Sequence, residues 1–170
     1  MTGYVALLRA VNVAGRQLAM AALKEIAGEL GLGEPRTFIA SGNLLFTSGR
    51  PEKELKALLE DRIGKHMDAD VGVMVRTATE MAAVAKANPF ADQPGNRVVA
   101  IFIDAPPPKD AVTQARNIAD ERMALGRREI YVHYPSGQGL SKLRIPAAAS
   151  GTARNMNTVA KLAKLAEEIG

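Results

Sequence analysis

Over its first 76 residues this chain switches repeatedly between the hydrophobic period of a strand and that of a helix, and the order of those switches limits the folds open to it. Tyr4-Val-Ala-Leu-Leu8 is short and apolar on both faces, as a buried strand is. Met20, Leu23, Ala27 and Leu30, with Ile26 beside them, then recur at helical spacing, and Gly31 and Gly33 stop that helix before Pro35. Arg36–Ala40 and Leu44–Thr47 are β-rich runs around Ser41-Gly42-Asn43, whose Gly and Asn accept the positive φ of a hairpin turn. Pro51 opens a second helix where a missing N–H costs nothing. Glu52 and Glu54 lie near its positive end, and Leu55, Leu58, Leu59, Arg62 and Ile63 form its inward stripe. Val71, Val73 and Val75 alternate with Gly72, Met74 and Arg76, the pattern of a half-buried strand. The order is βαββαβ, that of a ferredoxin-like unit with helices on one sheet face.

Residues 77–170 follow a similar order with no repeat of sequence. The pattern predicts a helix over Thr77–Ala87 ended by Asn88-Pro89, a strand at Val98–Ile103, and a helix at Lys109–Ala119 after three prolines. A second hairpin, Arg122–Leu125 with Glu129–Tyr134, flanks Gly126. Pro135–Pro146 is a punctuated loop with room for one short strand, and a last helix runs from about Asn155 to Ile169 on a stripe of Val159, Leu162, Leu165, Ala166 and Ile169. The expectation is an α+β fold of two packed ferredoxin-like subdomains, 1–76 and 77–170, with mainly antiparallel sheets. A single mixed sheet flanked by helices is the alternative.

With 47% hydrophobic and 24% charged residues, and neither Cys nor Trp, this is the composition of a globular protein without disulfides or thiolate metal sites. No apolar run approaches the roughly 20 residues that cross a bilayer, so no membrane partner is expected, and the reducing cytoplasm is the expected address. Of the net charge of +4, residues 122–170 supply more than all: 8 Lys and Arg against 3 Asp and Glu. That tilt suits a polyanionic or phosphorylated partner, or simply a solvated basic face.

Four polar groupings stand out. Arg9, with Asn12 and Gly15 after it, follows the first strand, where a guanidinium can grip a carboxylate or phosphate, or else make a structural ion pair beside an Asx turn. Ser41 and Asn43 belong to the hairpin turn. No GxSxG elbow makes Ser41 a nucleophile, which leaves turn formation or ligand hydrogen bonding. His133-Tyr134-Pro135 leads to Ser141-Lys142, where a histidine base and a lysine could serve an anionic intermediate; a packed spectator histidine is the plainer alternative. Adjacent strand residues face opposite ways, which argues against a Ser141–Lys142 dyad. Last, Arg154 stands at the expected mouth of the final helix, with Thr152 or Asn155 as N-cap. A cation beside the positive end of a helix calls for an anion between them, either an acidic side chain or a bound phosphate or carboxylate.

Together these pieces resemble the bacterial domain of unknown function family 1697. Its LLRGINVGG-like opening is similar to Leu7–Gly15, its SGN hairpin to Ser41–Asn43, and its NPF element to Asn88–Phe90. Its PxGxGxSKL loop resembles Pro135–Leu143, and its TxRNxxT helix start Thr152, Arg154, Asn155 and Thr158. Ala10 and Ala14 stand where the family usually has Gly, and Met156 where Trp is common. The resemblance implies a two-part α+β fold of ferredoxin-like flavour and no particular activity. It also implies that Arg9, Asn12, Ser41, Asn43, Ser141, Lys142, Arg154 and Asn155 belong to a shared polar pattern in loops.

The functional expectation is an anion-binding site for a phosphate-bearing or carboxylate small molecule, a nucleotide among the candidates, formed between the subdomains by those eight residues. Arg9 and Arg154 would grip the anion, Lys142 would add charge, and Asn12, Asn43 and Asn155 would orient it; no cofactor or metal is called for. A nucleic-acid-binding module using the basic C-terminal part is the first alternative, weakened by 4% aromatics and by strands without the RNP1 aromatic pattern. A protein-interaction or structural module is the second.

Overall fold

The computed structural model describes residues 1–9, 17–39 and 42–170. The described chain contains strands β1 (Thr2–Leu8), β2 (Gly33–Thr37), β3 (Asn43–Ser48) and β4 (Val73–Thr77), interleaved with helices α1 (Met20–Glu29) and α2 (Glu52–Met67). After helix α3 (Ala78–Lys86) come β5 (Val98–Phe102), β6 (Arg122–Leu125), β7 (Glu129–His133), β8 (Thr152–Asn155) and helix α4 (Met156–Ile169). Two compact units result, one of Met1–Ala82 with Lys161–Gly170, the other of Ala83–Ala160.

In the first unit the strands run β2-β3-β1-β4, every neighbour antiparallel. That is the ferredoxin-like arrangement expected from the βαββαβ order. One face of the sheet, including Ala6, Leu8, Leu44, Phe46, Val73 and Val75, packs against Leu23, Ile26 and Ala27 of α1 and Leu55, Leu59 and Ile63 of α2. The helix periods place those residues inward. Gly31, at φ +76°, ends α1: Gly31 N–H donates to Gly28 O and Leu32 N–H to Ala27 O, the paired bonds of a Schellman stop. Contrary to the half-buried strand expected at Val71–Arg76, Met74 and Arg76 of β4 are as buried as Val73 and Val75.

The second unit repeats the strand order as β6-β7-β5-β8, again antiparallel throughout. Its core face joins Val99, Ile130, Val132 and Tyr134 to Ala111 and Ile145. The helix expected at Lys109–Ala119 is instead a run of turns. Only Ala111 is buried within it, and Arg116 exchanges two backbone hydrogen bonds with Arg144, which draws the chain off the helical path. One buried anchor on a segment containing Val112-Thr113 does not offset the cost of helix nucleation.

A second correction concerns the mouth of the final helix. Thr152–Asn155 is strand β8, paired to β5 with Arg154 opposite Ala100, so Arg154 is a strand residue and Thr152 caps nothing. Asn155 is the N-cap: its Oδ1 accepts the N–H of Thr158 at 2.9 Å. Asn155→Ala is expected to lower stability by about 1 kcal/mol, measured by denaturant unfolding, whereas Asn155→Ser should retain most of it.

Candidate functional site

Register Arg122↔His133 places the start of β6 beside the end of β7. The segment entering β6 and the loop leaving β7 therefore emerge at the same end of the second sheet. Tyr134 N–H donates to Arg97 O at 2.8 Å, and the Arg97 guanidinium donates to Pro135 O at 3.1 Å, which pins the root of the loop. Gly137, at φ +88°, then turns the chain where any side chain would be strained and would meet Arg97. After a 3-10 turn at Gln138–Leu140, two serines tie the loop down. Ser136 Oγ donates to Asp120 Oδ2 at 2.6 Å, and Ser141 Oγ donates to Glu121 Oε2 at 2.6 Å. These are short, charge-assisted bonds. The two segments enclose an open depression of about 700 Å3 whose lining includes Ile118, Asp120, Glu121, Leu140, Ser141 and Lys142.

Glu121 is buried, its other oxygen accepts Ala119 N–H at 2.7 Å, and Leu143 N–H donates to Ser141 Oγ at 3.1 Å. The Ser141 bond first, then the backbone bonds led by Ala119, hold the Glu121 carboxyl below the usual carboxylate range. A carboxylate so stabilised is a weak base. Ser141 directs its proton at that carboxylate and a lone pair at Leu143 N–H, so it is a positioned strap, not an activated nucleophile. Because the folded carboxyl titrates below its ordinary 4.5, its contribution is complete above that pH and disappears as pH falls through the lowered value. Acid is therefore expected to release the strap, seen as a fall in the protection of the Leu143 amide relative to its intrinsic exchange rate at the same pH. Ser141→Ala should give the same loss of protection already at neutral pH.

The other expected site residues divide between the two units. In the first unit, Arg9 N–H donates to Gly72 O, Leu8 N–H to Gly42 O, and Leu7 faces Asn43, so exposed Arg9 and buried Asn43 share one end of the sheet. Asn43 is 0% exposed, and its Nδ2 donates to Phe38 O at 2.9 Å. Asn12 and Ser41 lie outside the described residues. In the second unit, Arg154 is 7% exposed; its guanidinium donates to Thr152 Oγ1 at 2.7 Å and Ala153 O at 2.9 Å. Burial lowers its pKa to about 10. Glu121 precedes edge strand β6 and Asn155 ends the opposite edge strand β8. Three strand spacings, roughly 14 Å, separate them. Ser141 and Lys142 therefore gather with Asp120, Glu121 and Ser136, which the sequence pattern had not singled out.

His133 is buried against the Phe90 ring, its Nδ1 finding no hydrogen-bond partner among the described residues. That is the packed alternative to a catalytic base. Among the described residues no group of three or more His, Cys, Asp or Glu could hold a metal ion. No described helix is long and apolar enough to cross a membrane.

The structure is similar to that of conserved bacterial protein SP0830 from Streptococcus pneumoniae, with a TM-score of 0.80 at 24% identity, over 97% of this chain and 98% of that one. This likeness shows the fold. Among curated proteins none matches the chain. Residues 1–131 match the family described as protein of unknown function (DUF1697). That segment contains the Leu7–Gly15 opening, Ser41–Asn43 and Asn88–Phe90, while the loop at Pro135–Leu143 and the Thr152–Thr158 pattern follow it. The chain belongs to the DUF1697 family of proteins of unknown function.

Proposed function

We propose that this protein binds a small molecule through an anionic group, a carboxylate or a phosphate, with Lys142 as counter-ion in the depression beside Ser136 and Ser141. The supporting observation is how Lys142 is held. It is exposed, has no ion-pair partner among the described residues, and lies between Ser141 and Leu143, which are joined to each other and to Glu121 by hydrogen bonds. With the backbone on either side of it tied down, Lys142 has only its side chain left to order when it takes an anion. Arg9, exposed just past β1, is a further anion contact within its own unit; Asn12 follows it closely in sequence, and Ser41 precedes Gly42, whose carbonyl accepts the N–H of neighbouring Leu8. Asn43, Arg154 and Asn155 serve by holding backbone.

A ligand that binds only the folded chain must raise its apparent stability, by about 2.7 kcal/mol at a hundred times its Kd. Thermal unfolding of the wild type against nucleotides, sugar phosphates and small carboxylates is expected to give a rise of roughly 5–10 °C for at least one class, mostly lost in Lys142→Ala. Equal rises in that variant for every active compound, or no rise with any class, would remove the proposal.

A further inference from the structure

We infer that the ligand of this depression is a zwitterion with a branched aliphatic part, the chemistry of a free α-amino acid such as leucine. The inference rests on the anion-binding proposal and narrows it. Asp120 and Glu121 against Lys142 leave a formal charge of −1 among the ionisable groups of the lining. A doubly charged phosphate would meet net repulsion there, whereas a single carboxylate accompanied by an ammonium would not. Lys142 suits the carboxylate. Asp120 suits the ammonium: it is exposed and gives Oδ2 to Ser136, leaving its other oxygen for a second donor. Glu121, with both oxygens engaged, adds field without competing for contact.

The apolar part follows from a second, independent observation. Five large hydrophobic residues are exposed among the described residues, and two of them, Ile118 (49%) and Leu140 (81%), line this one depression. Exposed aliphatics clustered with a few fixed polar groups are the mark of a ligand pocket. No aromatic side chain lines it, so nothing there would stack on a nucleobase.

Calorimetric titration of the full chain with four probes tests this: L-leucine, 4-methylpentanoate without the ammonium, 3-methylbutylamine without the carboxylate, and glycine without the side chain. Leucine should bind tightest, each deletion weakening binding by about tenfold or more. Asp120→Asn, which keeps an oxygen for Ser136, should erase the gap between leucine and 4-methylpentanoate. Lys142→Ala should erase the gap between leucine and 3-methylbutylamine. An unchanged thermal midpoint confirms that each variant is folded. If 4-methylpentanoate matches leucine in the wild type and Lys142→Ala weakens both, the zwitterion is refuted while the anion proposal stands. If 3-methylbutylamine matches leucine and Lys142→Ala changes neither, both are refuted at this site. Failure of all four to bind refutes the zwitterion alone, and the phosphates and carboxylates of the thermal screen then decide the broader proposal.

Discussion

Gly3→Ala is expected to cost about 3 kcal/mol of stability, lowering the thermal midpoint by roughly 6–12 °C. Gly3 lies in β1 opposite Thr47, and a Cβ built there would overlap the backbone oxygen of Ala166 and stand 3.2 Å from Gly170 Cα. Both obstacles are main chain, so no rotamer change relieves the overlap. Either the last turn of α4 moves away, losing the close packing that now holds it to the strand, or β1 bends out of register with β3. An alanine at Gly28, where a new Cβ meets nothing within 4 Å, is the matched control and should be neutral or slightly stabilising. An unchanged midpoint for Gly3→Ala would mean that α4 does not rest on β1 in solution.

Asn43→Asp should be at least as damaging at neutral pH, about 3 kcal/mol or more, although it changes shape hardly at all. The Asn43 amide lies wholly inside, donating to Phe38 O, while Phe38 N–H returns a bond to Asn43 O. The substitution replaces that donor with an oxygen facing a carbonyl and adds a charge with little solvent to stabilise it. Burial raises the introduced carboxyl above its unfolded value, so the deficit is full at neutral pH and shrinks as the pH falls toward the unfolded value of about 3.9. Equilibrium unfolding of wild type and variant at neutral and acidic pH measures this. A deficit that is small and independent of pH would place Asn43 in contact with water, as a ligand-facing residue would be.

The regions that could be read from sequence are those where a local period and a stop signal agree. α1 combines Leu23, Ile26 and Ala27 with the Gly31 stop. The second hairpin runs from Arg122–Leu125 to Glu129 around Gly126, whose N–H donates to Glu129 O at 2.7 Å. Two readings failed where a non-local partner decided the outcome. Thr152–Asn155 is too short to declare a period, and its strand character comes from pairing with β5, fifty residues earlier in the chain. The Lys109–Ala119 segment has acceptable helix formers, yet Arg144 captures the backbone of Arg116. The candidate site divides in the same way. Ser141 and Lys142 were visible as a motif, but their carboxylate partners lie some twenty residues upstream, and only the β6–β7 register reveals the pairing. Asp120 and Glu121 directly before a hairpin strand were the one available hint.

The division of the chain has a consequence for its biosynthesis. The first unit is completed by Lys161–Gly170, and the whole of Ala83–Ala160 is translated in between. While the ribosome makes the second unit, the first sheet must wait with Gly3 uncovered, because Ala166 and Gly170 have not yet been made. The intervening segment is continuous and can organise as soon as it emerges. The first unit is therefore expected to be the first begun and the last completed, and a pulse-labelled nascent chain would gain full protease resistance over Met1–Ala82 only after Lys161–Gly170 has been made.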